Sequence, residues 1–198
     1  MKAHIGIDEV GRGPIAGPVA VGAFYLSGKI KHPIWNGKPV PLRDSKKLTR
    51  IQREIWYSHI ELLRKEGKCD FAVAMVPAKM IDRSGIAPAI RSALARALSA
   101  VSSDAKCMIL LDGGLKAPAE FKKQKTIIKG DEKEPAISLA SIAAKVTRDR
   151  HMFRQAKKHP EYAFERHVGY GTKAHYAAIK KHGLSDLHRR SFLKRLSA

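Results

Sequence analysis

Acidic residues are scarce in this chain, and cysteines are scarcer. Only Cys69 and Cys107 occur among 198 residues, so no disulfide framework is implied, and with neither a Cys-x-x-Cys pair nor a His-x-x-x-His the usual zinc sites are excluded. Each cysteine opens an apolar stretch, which suits buried free thiols on neighbouring strands in a reducing, cytoplasmic compartment. Long apolar runs are also missing. The longest uncharged stretch, Gly13 to Gly28, is broken by Pro14, Gly17, Pro18 and Gly22 and follows two acids, so it reads as neither a signal peptide nor a spanning helix. There is no internal repeat, no low-complexity segment and no linker long enough to separate independent domains. With 44% apolar residues, a chain of this length buries roughly 70% of its unfolded surface, enough for a core without staples.

What is present is lopsided in sign. Lys and Arg number 38 against 18 Asp and Glu, a formal charge of +20, which favours a polyanionic partner, nucleic acid foremost. A generally basic, ribosome-associated protein would show the same balance. Charge supplies affinity and no chemistry.

The first half reads as strands: His4 to Val10, Pro18 to Leu26 and Cys69 to Val76, the last ended by Pro77. Between the second and third, Thr49 and Gln52 form a capping box for a helix whose apolar face runs through Ile51, Ile55, Trp56, Ile60, Leu62 and Leu63 to Gly67. Ile86 to Val101 reads as a second helix, followed by strands Cys107 to Asp112 and Gln124 to Asp131, each delivering a carboxylate at its C-terminal end. Glu134 to Lys158 is helical, with an Ala-Ser-Ile-Ala-Ala stripe that permits close packing. The remainder is basic: His167 to Thr172, a helix from about Ala174 ended by Gly183, and a short helix around Ser191 to Leu196.

Asp8 and Glu9 lie in or at the end of an apolar strand, an expensive place for unpaired carboxylates. With Asp112 and Asp131 they make four acids able to converge on one side of a sheet. Converging carboxylates repel one another unless a cation lies between them. Hard oxygen ligands suit Mg²⁺ or Mn²⁺, and two such ions about 4 Å apart can activate a water and stabilise the leaving oxygen of a phosphodiester. One geometric objection stands: adjacent strand residues point to opposite faces. Both side chains serve one site only if the strand ends or bulges there, or if Glu9 acts through its carbonyl or on a second ion.

The stretch Gly11-Arg12-Gly13-Pro14-Ile15-Ala16-Gly17-Pro18 fails the dinucleotide-binding spacing and lacks the Lys-Ser/Thr ending of a P-loop. It reads better as a turn whose exposed amides, with Arg12, hold a sugar-phosphate backbone. Most of the histidines lie in basic helical segments, where solvated or phosphate-contacting roles are expected. Ser45 has no His-bearing motif to make it a nucleophile, and Asp44 with Ser45 is as easily a helix-entry turn.

In order along the chain, Gly6-Ile7-Asp8-Glu9-Val10-Gly11-Arg12-Gly13-Pro14, Asp44-Ser45-Lys46-Lys47-Leu48, Asp112-Gly113, Lys129-Gly130-Asp131, Ala140 to Asp149, Gly169-Tyr170-Gly171-Thr172 and His188-Arg189-Arg190-Ser191-Phe192 together resemble ribonuclease HII. The resemblance implies an α/β, ribonuclease H-like fold. Its mixed five-stranded sheet has three antiparallel strands and then two parallel ones, flanked by helices. It implies a catalytic core over 1–160 and a helical C-terminal segment over 161–198 that packs on the core and helps hold substrate, in one structural unit. By the same resemblance Asp8, Glu9, Asp112 and Asp131 are the metal-binding and catalytic acids, Asp149 being the competitor for the fourth place, and the metal is Mg²⁺ or Mn²⁺ at a two-metal site. Gly11, Arg12 and Gly13 would read a ribose 2′-hydroxyl, and Tyr170 would stack at the RNA-to-DNA junction. Lys46 and Arg189 are expected as phosphate contacts. The implied activity is cleavage of RNA in RNA–DNA hybrids and at ribonucleotides embedded in duplex DNA, leaving 5′-phosphate and 3′-hydroxyl ends. A monomer without an identifiable protein partner is expected.

Two rivals follow from the same residues. The sister family, ribonuclease HIII, shares the core acids but usually carries an extra N-terminal domain, whereas here the catalytic strand begins by residue 4. A nucleic-acid-binding module whose acids only tune charge is the other.

Overall fold

The computed structural model describes residues 3–101 and 107–194. Strands β1 (His4–Val10), β2 (Val19–Leu26), β5 (Cys69–Val76), β6 (Met108–Asp112) and β7 (Gln124–Ile127) form one sheet in the order β5-β2-β1-β6-β7. The first three pair antiparallel, and β1-β6 and β6-β7 pair parallel. Two short strands, β3 (Ile34–Trp35) and β4 (Lys38–Pro39), make a separate exposed hairpin.

Alternation along the strands sorts side chains onto two faces. Ile5, Ile7, Val21, Ile109 and Leu111 meet Ala93, Leu94 and Ala97 of helix α3 (Ile86–Ala100) on one face. Phe24 and Phe71 meet Trp56 of α1 (Arg50–Lys65) and Leu139, Ile142 and Ala143 of α5 (Pro135–Lys158) on the other. Helix α5 lies unusually close to the sheet because the strands beneath it carry glycines: a Cβ on Gly6 would overlap the backbone of Ala136 and Ile137, and one on Gly22 would overlap the carbonyl of Ala140. The capping box at α1 forms, Thr49 Oγ1 accepting from the Gln52 amide at 3.2 Å and Gln52 Oε1 from the Thr49 amide at 2.9 Å.

Several expectations need correction. Cys69 opens β5 and Cys107 immediately precedes β6, and these strands are separated by β2 and β1, so the thiols are not on neighbouring strands. A helix, α2 (Ala78–Ser84), follows Pro77 where none was expected. The run toward Asp131 stops being a strand at Ile127. Lys129 turns left-handed at φ 54° and opens a one-turn helix α4 (Gly130–Lys133) that carries Asp131.

The C-terminal segment carries α6 (Phe164–His167) and α7 (Lys173–His182). Its helix expected around 191–196 is a single 3₁₀ turn, Arg190–Phe192, with residues 195 and 196 outside those described. A third apolar cluster ties this segment down, joining Tyr162, Phe164, Ile179 and Leu193 to Ile15, Ala16 and Met152. No helix among the described residues is long and apolar enough to cross a membrane.

Candidate active site

Parallel pairing of β1 with β6 in the register Ile7↔Leu111 puts Asp8 and Asp112 level, one residue further on, at the C-terminal ends of adjacent strands. Strands so paired lie about 4.8 Å apart. Asp8 is buried and faces α5, where Ser141 donates to it; Ser141 Oγ in turn lies 2.8 Å from the buried Ser45 Oγ. Burial, with Glu9 and Asp112 nearby, pushes Asp8 up to about 8 despite that hydroxyl.

β1 neither ends nor bulges before Glu9, so the alternation objection holds and Glu9 leaves the strand on the other face. Its carboxylate is drawn to Arg12 at 3.2 Å. Its charge is nevertheless felt by Asp8, and that of Asp112 is felt by it; burial raises it against the pull of Arg12. Asp112 Oδ1 accepts the Gly130 amide at 2.6 Å, fastening α4 to the end of β6. That contact delivers Asp131, which is raised by burial and then by Asp112 and Asp44. Asp149 lies elsewhere in bonding terms: its Oδ1 accepts from Lys145 Nζ at 2.8 Å along α5.

The residues read as a helix-entry turn belong to this site. Asp44 is buried, accepts the Lys46 amide at 2.9 Å and shares a hydrogen bond with Asp131. Burial lowers Lys46, but the combined field of Asp44, Asp131, Asp8 and Asp112 outweighs it and holds the ammonium above its ordinary value. Sequence reasoning thus missed Asp44, Ser45 and Ser141. The cue was available in the Asp44-Ser45-Lys46-Lys47-Leu48 and Ala140 to Asp149 motifs, which carry all three.

The acids suit a divalent cation by chemistry: they are hard oxygen donors, desolvated and mutually repelling, and burial first and their neighbours' charge second hold Asp8, Glu9 and Asp131 above the ordinary carboxylate range. As they stand, no three of the acids or histidines among the described residues are gathered at ligand spacing. Asp8 Oδ1 accepts the Glu9 amide at 2.7 Å, Glu9 leans to Arg12, and Asp112 holds Gly130.

Beside the acids, loop 11–18 presents Arg12 and Gly13 to solvent. The half-exposed Tyr170 ring shares that surface, its Cε1 lying 3.9 Å from where a Cβ on Gly13 would be. Arg189, expected as a phosphate contact, is instead fully buried. Its guanidinium donates to the carbonyls of Gly17 at 3.0 Å, Arg12 at 2.9 Å and Gly11 at 2.7 Å, leaving it no free face for a phosphate. His167, His175 and His188 lie in the basic segments where solvated or phosphate-contacting roles are expected, but they are buried and bonded mainly to one another and to backbone. A basic neighbourhood in sequence concealed an apolar one in space.

The family model for ribonuclease HII matches residues 5–195. A ribonuclease HII of Halalkalibacterium halodurans is 42% identical over 187 residues, covering 94% of this chain and 66% of that protein. One of Prochlorococcus marinus is 39% identical over 198 residues, covering 99% of this chain and 100% of that protein. The crystal structure of ribonuclease H2 from Pyrococcus horikoshii matches with a TM-score of 0.73 at 25% identity, covering 98% of this chain and 99% of that one.

Proposed function

The chain belongs to the ribonuclease HII family, a family of ribonuclease H-type hydrolases, and from that premise we propose that it cuts the RNA strand of RNA–DNA hybrids and also ribonucleotides embedded in duplex DNA, leaving 5′-phosphate and 3′-hydroxyl ends. The observation that carries this reading is the level placement of Asp8 and Asp112 on adjacent parallel strands, with Asp131 delivered beside them and the Gly13–Tyr170 surface adjoining.

Asp8, Glu9, Asp112 and Asp131 would hold Mg²⁺ or Mn²⁺; Asp149 is taken by Lys145. Bound there, such cations supply Lewis acidity, lowering the pKa of water and offsetting charge on phosphoryl oxygens. The chain itself does the rest. Ser45 and Ser141 fix the orientation of Asp8, and Lys46 balances the acids and offers positive charge to a scissile phosphate. The amides at 12 and 13 face a ribose, whose 2′-hydroxyl both donates and accepts and is what separates RNA from DNA. Tyr170 offers a stacking face at the junction. The surplus of basic residues brings the backbone in.

The test is digestion of a DNA duplex carrying one ribonucleotide, in Mg²⁺, in Mn²⁺ and in EDTA, by wild type and Asp8→Asn. Wild type should cut at the ribonucleotide only when the cation is present. The variant should bind the duplex within a few fold of wild type and not cut. Strands left intact by wild type in every condition would make the protein a binding module, and wild-type turnover by Asp8→Asn in Mg²⁺ would remove Asp8 from the mechanism.

A further inference from the structure

We propose that Arg148 and Arg189 are positioning residues for ribose recognition: together they turn the carbonyls of loop 11–18 inward and thereby aim its amides at the substrate. The inference rests on the ribonuclease reading and assigns the residues that set its selectivity.

Both guanidinium groups are fully buried behind the loop. Arg148 donates to the carbonyls of Pro18 at 2.9 Å, Val168 at 3.0 Å and Ala16 at 3.3 Å. Arg189 donates to those of Gly17, Arg12 and Gly11. Five of these six acceptors belong to one eight-residue loop, and the sixth leads into Gly169-Tyr170. Neither arginine has a carboxylate at ion-pair distance among the described residues. Two unpaired cations in a core are costly unless charge-assisted hydrogen bonds replace water, and here every one of those bonds goes to backbone. Burial, and then Arg148, lowers Arg189 to about 9, which still leaves it charged at neutral pH.

Peptide geometry converts this into function. In a trans peptide the carbonyl and the following N–H point opposite ways, and no cis bond occurs among the described residues. Drawing the Gly11 and Arg12 carbonyls inward therefore turns the Arg12 and Gly13 amides outward. Neither amide has a backbone acceptor among the described residues, and both residues are exposed beside Tyr170. Gly11 must be glycine for this, at φ 90° with the Arg148 side chain where a Cβ would be. The two buried charges add positive potential behind the outward amides, favouring an electron-rich oxygen in front of them. Lysine has one ammonium and no planar fork, so it cannot bridge three carbonyls in this way.

Arg148→Lys and Arg189→Lys keep the charge and lose the fork. Binding is read by anisotropy without divalent cation, comparing a duplex that holds one ribonucleotide with its all-DNA counterpart over a salt series. Each variant should lose roughly tenfold of the wild-type preference for the ribonucleotide, with an unchanged dependence of log affinity on log salt and unchanged Mn²⁺ binding by calorimetry. Retention of the full preference by both variants would overturn the proposal. So would a salt slope in Arg189→Gln reduced by about 0.9, the mark of a phosphate contact. Should the lysine variants fail to fold, the wild-type Arg Nε–H signals in ¹⁵N spectra decide: slow hydrogen exchange with little change on adding duplex supports the assignment, and fast exchange overturns it. Wild type without any preference would instead sink the ribose-reading function itself, a result distinguishable because Nε–H protection is read on free protein.

Discussion

Acidification should loosen the C-terminal segment, and the histidine pair sets the size of the effect. The Ser185 amide can only donate, so His188 Nδ1 accepts it at 2.9 Å and the His188 proton lies on Nε2. That proton faces His175 Nε2 at 3.1 Å, and His175 Nδ1 then donates to the Tyr170 carbonyl at 2.8 Å. Every position in the chain is fixed by neutral rings, and protonating His175 Nε2 would set two N–H groups against each other. Burial pushes both rings down to about 4; the Tyr170 carbonyl opposes this at His175, and the neighbouring His175 reinforces it at His188. The unfolded chain takes up these protons near pH 6.5 and the native one not until near pH 4, so this contribution is complete above pH 6.5 and declines as pH falls through that window. At 1.36 kcal/mol per pH unit the full loss is about 3 kcal/mol for a ring, and about 2 kcal/mol by pH 5. Urea unfolding at pH 7 and pH 5 measures it, with His175→Asn/His188→Gln as the control that keeps donors in reach but cannot titrate there. Wild type should lose at least 2 kcal/mol more than the control, whose own change reports carboxylates and the remaining histidines. Equal losses in the two proteins would refute the neutral relay.

Two further outcomes follow from packing and from the acids. Gly6→Ala must lift α5 from the sheet and should cost about 3 kcal/mol in thermal or urea unfolding, whereas Gly114→Ala, where a Cβ meets open space, should stay within about 0.5 kcal/mol of wild type. Addition of Mn²⁺ at about a hundred times its dissociation constant should stabilise wild type by about 2.7 kcal/mol, and the gain should shrink in Asp8→Asn; equal melting shifts in both proteins would place the ion elsewhere.

Local rules were legible where local physics decides. Apolar runs ended by proline or glycine gave β1 and β5 their bounds, and Thr49 with Gln52 marked the start of α1. The small-residue stripe of α5 announced close packing, and Gly6 and Gly22 supply the other half of it. Strand order was available only through resemblance, because alternation says which face a residue takes and nothing about its neighbour. Asp131 was placed at a strand end because Thr-Ile-Ile looks extended; the left-handed Lys129 that redirects the chain carries no glycine or asparagine to betray it. Helix α2 is only seven residues long between Pro77 and Gly85, too short for a periodicity to show.

The charge count misled most where it was most emphatic. A surplus of +20 treats each cation as surface available to a polyanion, yet Arg148 and Arg189 face inward. Nothing in the Arg189-Arg190 pair distinguishes a core guanidinium from a solvated one: Arg189 is buried under the loop, while the next residue is exposed and its amide meets Asp82. The distinction is made by acceptors more than 170 residues away in sequence. Burial of a cation is thus a property of the carbonyls that surround it, and for Arg189 these converge only where loop 11–18 meets the C-terminal segment. The loop proposed to read a ribose therefore depends on the C-terminal segment folding onto it and onto α5, so losing the C-terminal contacts should blunt ribose selectivity, read as the affinity ratio of a ribonucleotide-bearing duplex to its all-DNA counterpart, before it disturbs the acids on β1 and β6.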